Sequence, residues 1–184
     1  MKSVLISIYP KWCELIASGK KTVEVRKNKP KLKTPFKVYI YETQGRTETP
    51  WIDEDGHEIF KGRGQVIGEF ICDKIVPLVL MESGGYYIPY KEGLGRACMT
   101  VKEAREYGKG KPLYAWHISV LVIYDKPREL YELQKHPNTD HCGWGECDLC
   151  RFGDYEQLDE EWICTNVITR PPQSWCYVES LKGE

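Results

Sequence analysis

Four ionisable side chains fall within one eight-residue run, Gly19-Lys20-Lys21-Thr22-Val23-Glu24-Val25-Arg26. A lysine beside a carboxylate can pass a proton or orient a nucleophile, and the carboxylate can activate water. The same groups also suit recognition without chemistry. Lys21 and Arg26 would hold phosphate, Glu24 would accept from a base edge, and an aromatic such as Trp116 or Tyr41 would stack. A second set lies far along the chain. Cys142, Cys147, Cys150 and Cys164 have the spacing C-x4-C-x2-C-x13-C. The close pair Cys147/Cys150 places two thiolates on one turn, and a tetrahedral zinc ion takes its other ligands at any separation. Cys164 is the first choice for the fourth ligand, ahead of His136 and His141. Gly143 and Gly145 permit the sharp backbone turns. The first three spacings also echo a plant-type ferredoxin run, which makes an iron-sulfur cluster the competing metal reading. Free thiols on a loop, with an oxidisable Cys147/Cys150 pair, are the reading without metal.

The elements that must position the first set are short. Ser3 to Ile8 alternates as a strand does. Pro10 suits a first helical turn, and Trp12, Leu15 and Ile16 recur at helical spacing up to Ser18. Gly19 is the expected left-handed stop. From Thr22 to Arg26 the period is two: Val23 and Val25 share one face, and Thr22, Glu24 and Arg26 share the other. With the valines on the core, the polar trio lines a groove or the surface. Asn28 to Pro35 reads as a lysine- and proline-rich loop, Phe36 to Tyr41 as a strand, 42–64 as a long loop or hairpin, and Gln65 to Ile75 as a central strand. Residues 82–98 read as a loop in which Tyr86, Tyr87 and Tyr90, beside Gly84 and Gly85, could cover a cleft. Thr100 to Glu103 is a capping box that opens a helix to about Tyr107. Trp116 to Tyr124 is a strong strand, Arg128 to Leu133 a short helix, and 162–168 and 174–178 are returning strands. Five to seven strands with two or three short helices suit an α+β fold built on a small closed barrel.

On these residues the sequence resembles the ASCH domain family, whose fold is a PUA-like barrel. Gly19, Lys21, Glu24 and Arg26 match the family signature on the turn and strand after the first helix. The helix from Trp12 to Ser18, Gly68-Glu69-Phe70 and Tyr114-Ala115-Trp116-His117-Ile118 add to the match. The ending from Arg170 to Glu179 is similar to a subgroup of bacteria and their phages. The resemblance covers about residues 1–130 and 168–180. It implies one domain over 1–184, with 135–165 as an inserted cysteine-rich loop. It also implies binding of RNA or a modified nucleoside in a cleft beside the barrel, by Lys21, Thr22, Glu24, Arg26 and Trp116. Some small members resemble amidohydrolases that remove an acyl group from the N4 amine of cytidine derivatives with a Lys, a Thr and a Glu. Lys21 matches that Lys, Glu24 occupies the Thr position, and Glu69 is a candidate for the Glu. Binding module and enzyme, the latter with Lys21 and Glu24 as its catalytic pair, both stand as readings, and His117 is a further candidate near the cleft.

Composition bounds the rest. The chain has 184 residues, 26 Lys plus Arg against 27 Asp plus Glu, and a formal net charge of -1. That excludes a uniform polycation. The charge is nevertheless segregated: residues 20–37 hold eight basic residues against Glu24, a local +7, and residues 140–161 hold eight acidic residues against Arg151, a local -7. The basic segment suits phosphates. The acidic lobe, more negative still with four thiolates, suits a protein partner, which is a third functional reading. The longest apolar stretch, Ile75 to Met81, is too short for a bilayer, and the start has no signal-peptide pattern. Eight cysteines without an export signal point to a reducing, cytoplasmic setting. Cys13 and Cys72 read as buried thiols, and Cys98 and Cys176 have no evident partner.

Overall fold

The structure is a computed structural model that describes residues 2–52, 56–80, 86–87, 94–133, 155–158, 161–164 and 168–181. The first unit runs β1 (Lys2–Ile8), α1 (Pro10–Ala17), β2 (Val23–Arg26) and β3 (Phe36–Glu42). Pro10 opens α1 because its missing N–H would have had no helical partner. Gly19 follows Ser18 with φ of +71°, a conformation that costs a side-chain-bearing residue more. Next come the hairpin β4 (Arg46–Ile52) and β5 (Glu58–Lys61), then β6 (Val66–Cys72), β7 (Ile75–Leu80) and β8 (Tyr86–Tyr87). α2 (Val101–Gly108) begins with the expected capping box, Thr100 with Glu103, and ends at Lys109 in the left-handed conformation. β9 (Leu113–His117), β10 (Ser119–Arg128), the pair β11 (Tyr155–Leu158) and β12 (Glu161–Cys164), and β13 (Trp175–Glu179) complete the order.

The strands form a five-stranded sheet, β10-β6-β3-β1-β13, and a four-stranded sheet, β2-β9-β7-β8, with the pairs β4-β5 and β11-β12 apart from them. Two expected single strands are therefore each two strands. The run 65–75 turns at Asp73-Lys74 from β6 into β7, and the run 116–124 turns at Ile118 from β9 into β10; each turn carries the chain from one sheet to the other. At these corners His117 N–H bonds to the Lys74 carbonyl and Ile118 N–H to the Thr22 carbonyl. Along the first sheet Gly68 lets β10 close on β6, since a Cβ there would strike the Val122 carbonyl oxygen.

The expected closed barrel is not formed among the described residues. The first sheet ends at β13 and the second at β2, and no strand joins them. The reason lies in the segment before β13. The segment that would extend β13 toward β2 contains Pro171-Pro172, which have no N–H to give a ladder. Side chains span this opening instead: the Ser7 hydroxyl donates to the Pro172 carbonyl at 2.6 Å, and Arg26 Nη2 donates to the Ser7 carbonyl at 2.6 Å.

The core between the sheets holds Val4, Ile6, Ile16, Val38, Ile40, Phe70 and Trp116, all fully buried. Each aliphatic or phenyl side chain buried so contributes about 1.5–3 kcal/mol from removed apolar surface. Val23 and Val25 pack in a second cluster with Leu78, Ala104 and Leu113 under α2. The expected period-two split of β2 is observed: its valines enter this cluster while Glu24 and Arg26 face the opening.

Candidate functional site

The turn after α1 delivers the ionic residues. Lys21 N–H bonds to the Leu15 carbonyl at 2.7 Å, which fixes the entry to β2. Glu24 and Arg26 then stand opposite Trp116 and Tyr114 in the antiparallel ladder with β9. The side chains converge. Lys21 Nζ lies 3.2 Å from Glu24 Oε2, and Arg26 Nε lies 3.0 Å from Glu24 Oε1. Lys21 Nζ also donates to the Ala97 carbonyl at 2.7 Å and sits 4.9 Å from the Trp12 ring centre. Lys21, Glu24 and Arg26 are only 2%, 6% and 7% exposed. Charges so buried are tolerable only when compensated, and here Glu24 faces both cations while Lys21 Nζ and Arg26 Nη2 each donate to a backbone carbonyl. Two cations against one carboxylate leave the cluster with a charge of +1.

These groups line a cavity of ≈ 850 Å³ in the opening between the sheets. That volume falls in the range of small-molecule sites, about 300–1,000 Å³. Tyr9 just before α1, Trp12 from α1 and Tyr107 from α2 supply its aromatic surface, and Pro171 to Ser174 line it from the segment before β13. Lys27 and Asn28 stand at one rim; Glu103 and Glu106 of α2 stand at another. Burial pushes the Tyr107 phenol above its ordinary range, and the Arg26 guanidinium partly opposes that. Hydrogen bonds from the Thr100 N–H and hydroxyl hold the Glu103 carboxyl below the ordinary carboxylate range.

Chemically the arrangement is an acceptor between two donors. Both Glu24 oxygens already face a cation, but a carboxylate has about four lone-pair directions, so acceptor capacity is left for a ligand. Arg26 has five N–H donors. With Nη2 on Ser7 and Nε beside Glu24, donors are left over. Lys21 has three, and Ala97, Glu24 and the Trp12 face use them.

The expected site residues divide. Lys21, Glu24 and Arg26 come together. Thr22 does not line the cavity; its N–H bonds to the Arg96 carbonyl and its buried Oγ1 has no partner among the described residues. The stacking role expected of Trp116 does not fit its position. Its ring is wholly buried, edge-on to Phe36 at 6.1 Å and beside Trp175 at 6.1 Å, because β9 crosses the core there. Tyr41 is buried in a third cluster with Leu5 and Val66. Glu69 lines no part of the cavity; it pairs with Lys37 at 2.7 Å and accepts from the Tyr124 hydroxyl at 2.7 Å. His117 meets Asp73 at 2.7 Å outside the cavity. Cys13 and Cys72 are buried thiols, and burial pushes Cys72 up to about 12.

Cys142, Cys147, Cys150, His136 and His141 lie outside the described residues, as do most of the acidic lobe, Gly84, Gly85 and Tyr90. Cys164 is described only as the end of β12, opposite Tyr155. Among the described residues no group of three or more His, Cys, Asp or Glu could hold a metal ion.

Trp12, Tyr107 and the Pro171–Ser174 wall are site features that sequence reasoning did not single out. The first two look like apolar helix positions, and a wall more than 140 residues from β2 has no local pattern. The one usable hint was Pro171-Pro172 itself, a segment unable to pair.

Comparison with known proteins gives the family and a related fold. The model of the family described as "ASCH domain" matches residues 6–173. The crystal structure of ASCH from Zymomonas mobilis aligns with a TM-score of 0.54 at 19% identity, covering 96% of this chain and 87% of that one. A serine-to-alanine mutant of the same Zymomonas mobilis protein aligns at 0.52 with 20% identity, covering 96% and 88%. At such identity these neighbours speak for the fold alone. No curated protein matches the sequence.

Proposed function

This chain belongs to the ASCH domain family, and on that premise we propose that it binds a nucleobase-containing ligand, an RNA or a nucleoside, in the cavity over β2. The observation that carries the reading is the convergence of Lys21, Glu24 and Arg26 beneath an ≈ 850 Å³ cavity walled by Trp12 and Tyr107. The aromatic lining offers a planar base an apolar surface, and the Glu24 carboxylate and remaining Arg26 donors suit its polar edge. Titration calorimetry with nucleoside monophosphates and short single-stranded RNA at low salt tests this. Wild-type protein is expected to bind, and Glu24→Gln to weaken binding at least about tenfold, the value of one charge-assisted hydrogen bond. Absence of wild-type affinity for both ligand types would overturn the reading.

The 3.2 Å contact between Lys21 and Glu24 supports a second reading, an amidohydrolase acting on N4-acylated cytidine derivatives. It ranks lower because every Lys21 donor is already engaged. Incubation with N4-acetylcytidine decides it: no turnover above a Lys21→Ala control removes hydrolysis.

The cysteine spacing supports a structural zinc ion within 135–165, held by Cys142, Cys147, Cys150 and Cys164. Metal analysis of protein purified without chelator is expected to find about one zinc per chain, and a value near zero for both zinc and iron refutes the site. The acidic composition of 140–161 supports a protein partner there, and the ending Arg170 to Glu179 supports membership of the bacterial and phage subgroup. No helix among the described residues is long and apolar enough to cross a membrane.

A further inference from the structure

The lysine loop between β2 and β3 is not spread evenly over the molecule. Lys27 and Asn28, at its start, line the cavity. Lys27, Lys29, Lys31 and Lys33 are all exposed. The first two stand over tyrosine rings: Lys27 Nζ lies 4.7 Å from the Tyr107 ring centre and Lys29 Nζ 5.7 Å from that of Tyr114. Further on, Lys31 N–H bonds to the Tyr177 hydroxyl at 2.8 Å, and Lys2 Nζ lies 4.0 Å above the Tyr177 ring. The loop is thereby held against α2, β9 and β13: Lys27, Lys29 and Lys2 stand over three tyrosine rings, and Lys31 and Lys33 follow in the exposed part of the loop. Glu103 and Glu106 of α2 line the same cavity with the other sign.

From this run of cations we propose that the ligand is a single-stranded polynucleotide whose chain leaves the cavity over the 27–33 loop. This rests on the cavity reading above and adds a direction and a length to it. One nucleotide occupies the cavity. The following phosphates meet Lys27, Lys29, Lys31 and Lys33, and the half-buried rings of Tyr107, Tyr114 and Tyr177 line the path beside them. Phosphates directed to Glu103 and Glu106 would meet two carboxylates instead. A solvated lysine run serving solubility alone would not need to begin inside a cavity or to be anchored on tyrosines by backbone and ring contacts. Interleaved cations and aromatics are the general solution for holding single strands without regard to sequence.

The experiment is a length series, from a nucleoside monophosphate to hexanucleotides in RNA and DNA forms, titrated into wild type, Lys29→Ala/Lys31→Ala/Lys33→Ala and Glu24→Gln. None of the three replaced lysines lines the cavity. Wild-type affinity is expected to rise with length and to level off at about four nucleotides, the low end for such sites. The triple variant is expected to bind the monophosphate as wild type does and the hexamer at least about tenfold more weakly. The slope of log affinity against log salt should fall by about 2, since each phosphate contact on a single strand contributes about 0.7. Equal loss on RNA and DNA fits the loop, which reads phosphate; an RNA preference kept by the triple variant assigns sugar recognition to the cavity. Hexamer affinity and salt slope unchanged in the triple variant, with monophosphate binding intact and sensitive to Glu24→Gln, overturn the track alone. Absence of wild-type affinity for the monophosphate and the oligonucleotides alike overturns the cavity reading instead.

Discussion

Glu24 and Glu69 are two partly similar carboxylates with different fates. Each is held by a lysine, Lys21 at 3.2 Å and Lys37 at 2.7 Å, and each has a second donor, Arg26 or the Tyr124 hydroxyl. Either could be nominated from sequence as an acid or base. Glu69 lies inside the five-stranded sheet, paired with Tyr39 of β3 on one side and Val122 of β10 on the other, so its polar cluster closes on itself. Glu24 lies on β2, at the sheet edge where the ladder stops, so its cluster faces a cavity. A paired carboxylate becomes a site through the backbone opening beside it, not through its partners.

The comparison can be broken most severely at Lys21. Lys21→Met keeps the volume and leaves Glu24 with Arg26 alone. Chemical denaturation should show a loss of about 3–5 kcal/mol, the cost of removing one partner of a buried pair. A loss below about 1 kcal/mol would mean that solvent reaches the cluster. Glu24→Gln comes next. It leaves two cations side by side, and the double variant Lys21→Met/Glu24→Gln should cost less than the sum of the single changes because the pair is coupled. Glu69→Gln should cost about 1 kcal/mol, as Lys37 and Glu69 are partly solvated, and should leave nucleotide affinity unchanged. If it weakened binding as Glu24→Gln does, Glu69 would belong to the site after all.

The smallest effect falls on a third carboxylate, exposed at the cavity rim. Glu103 has a folded pKa below its unfolded one. Its contribution is therefore present above the ordinary carboxylate value, about 4.3, and is lost as pH falls through the depressed folded value. Melting temperatures of wild type and Glu103→Gln should differ at pH 7, by less than about 1 kcal/mol in stability, and converge at low pH. A difference that persists at low pH would show that the lost interaction is not the charged cap.

Much of what positions the site is legible residue by residue. The alternation of Val23 and Val25 against Glu24 and Arg26, the proline at the start of α1, the glycine after it and the Thr100–Glu103 box are all short-range devices, and each is found where its pattern predicts. Failure begins where the determinant is remote. Nothing within 116–124 states that the chain will leave one sheet for another at Ile118, because the cause is a bond to Thr22. Trp116 and Trp12 carry the same indole, and only the crossing of β9 over the core decides that the first is buried while the second reaches the cavity. Barrel closure failed as an expectation for a similar reason: strand number is local, whereas closure depends on whether Pro171-Pro172 meets β2.

The hydroxyl bond from Ser7 to Pro172 ties positions 165 apart in sequence across the cavity wall. The pocket is therefore not a property of any contiguous fragment, and ligand capture becomes a clock for assembly. During refolding, sheet signals from β1, β3 and β6 can develop while the wall is still missing. Nucleotide binding should appear only with the last pairing, when β13 joins β1.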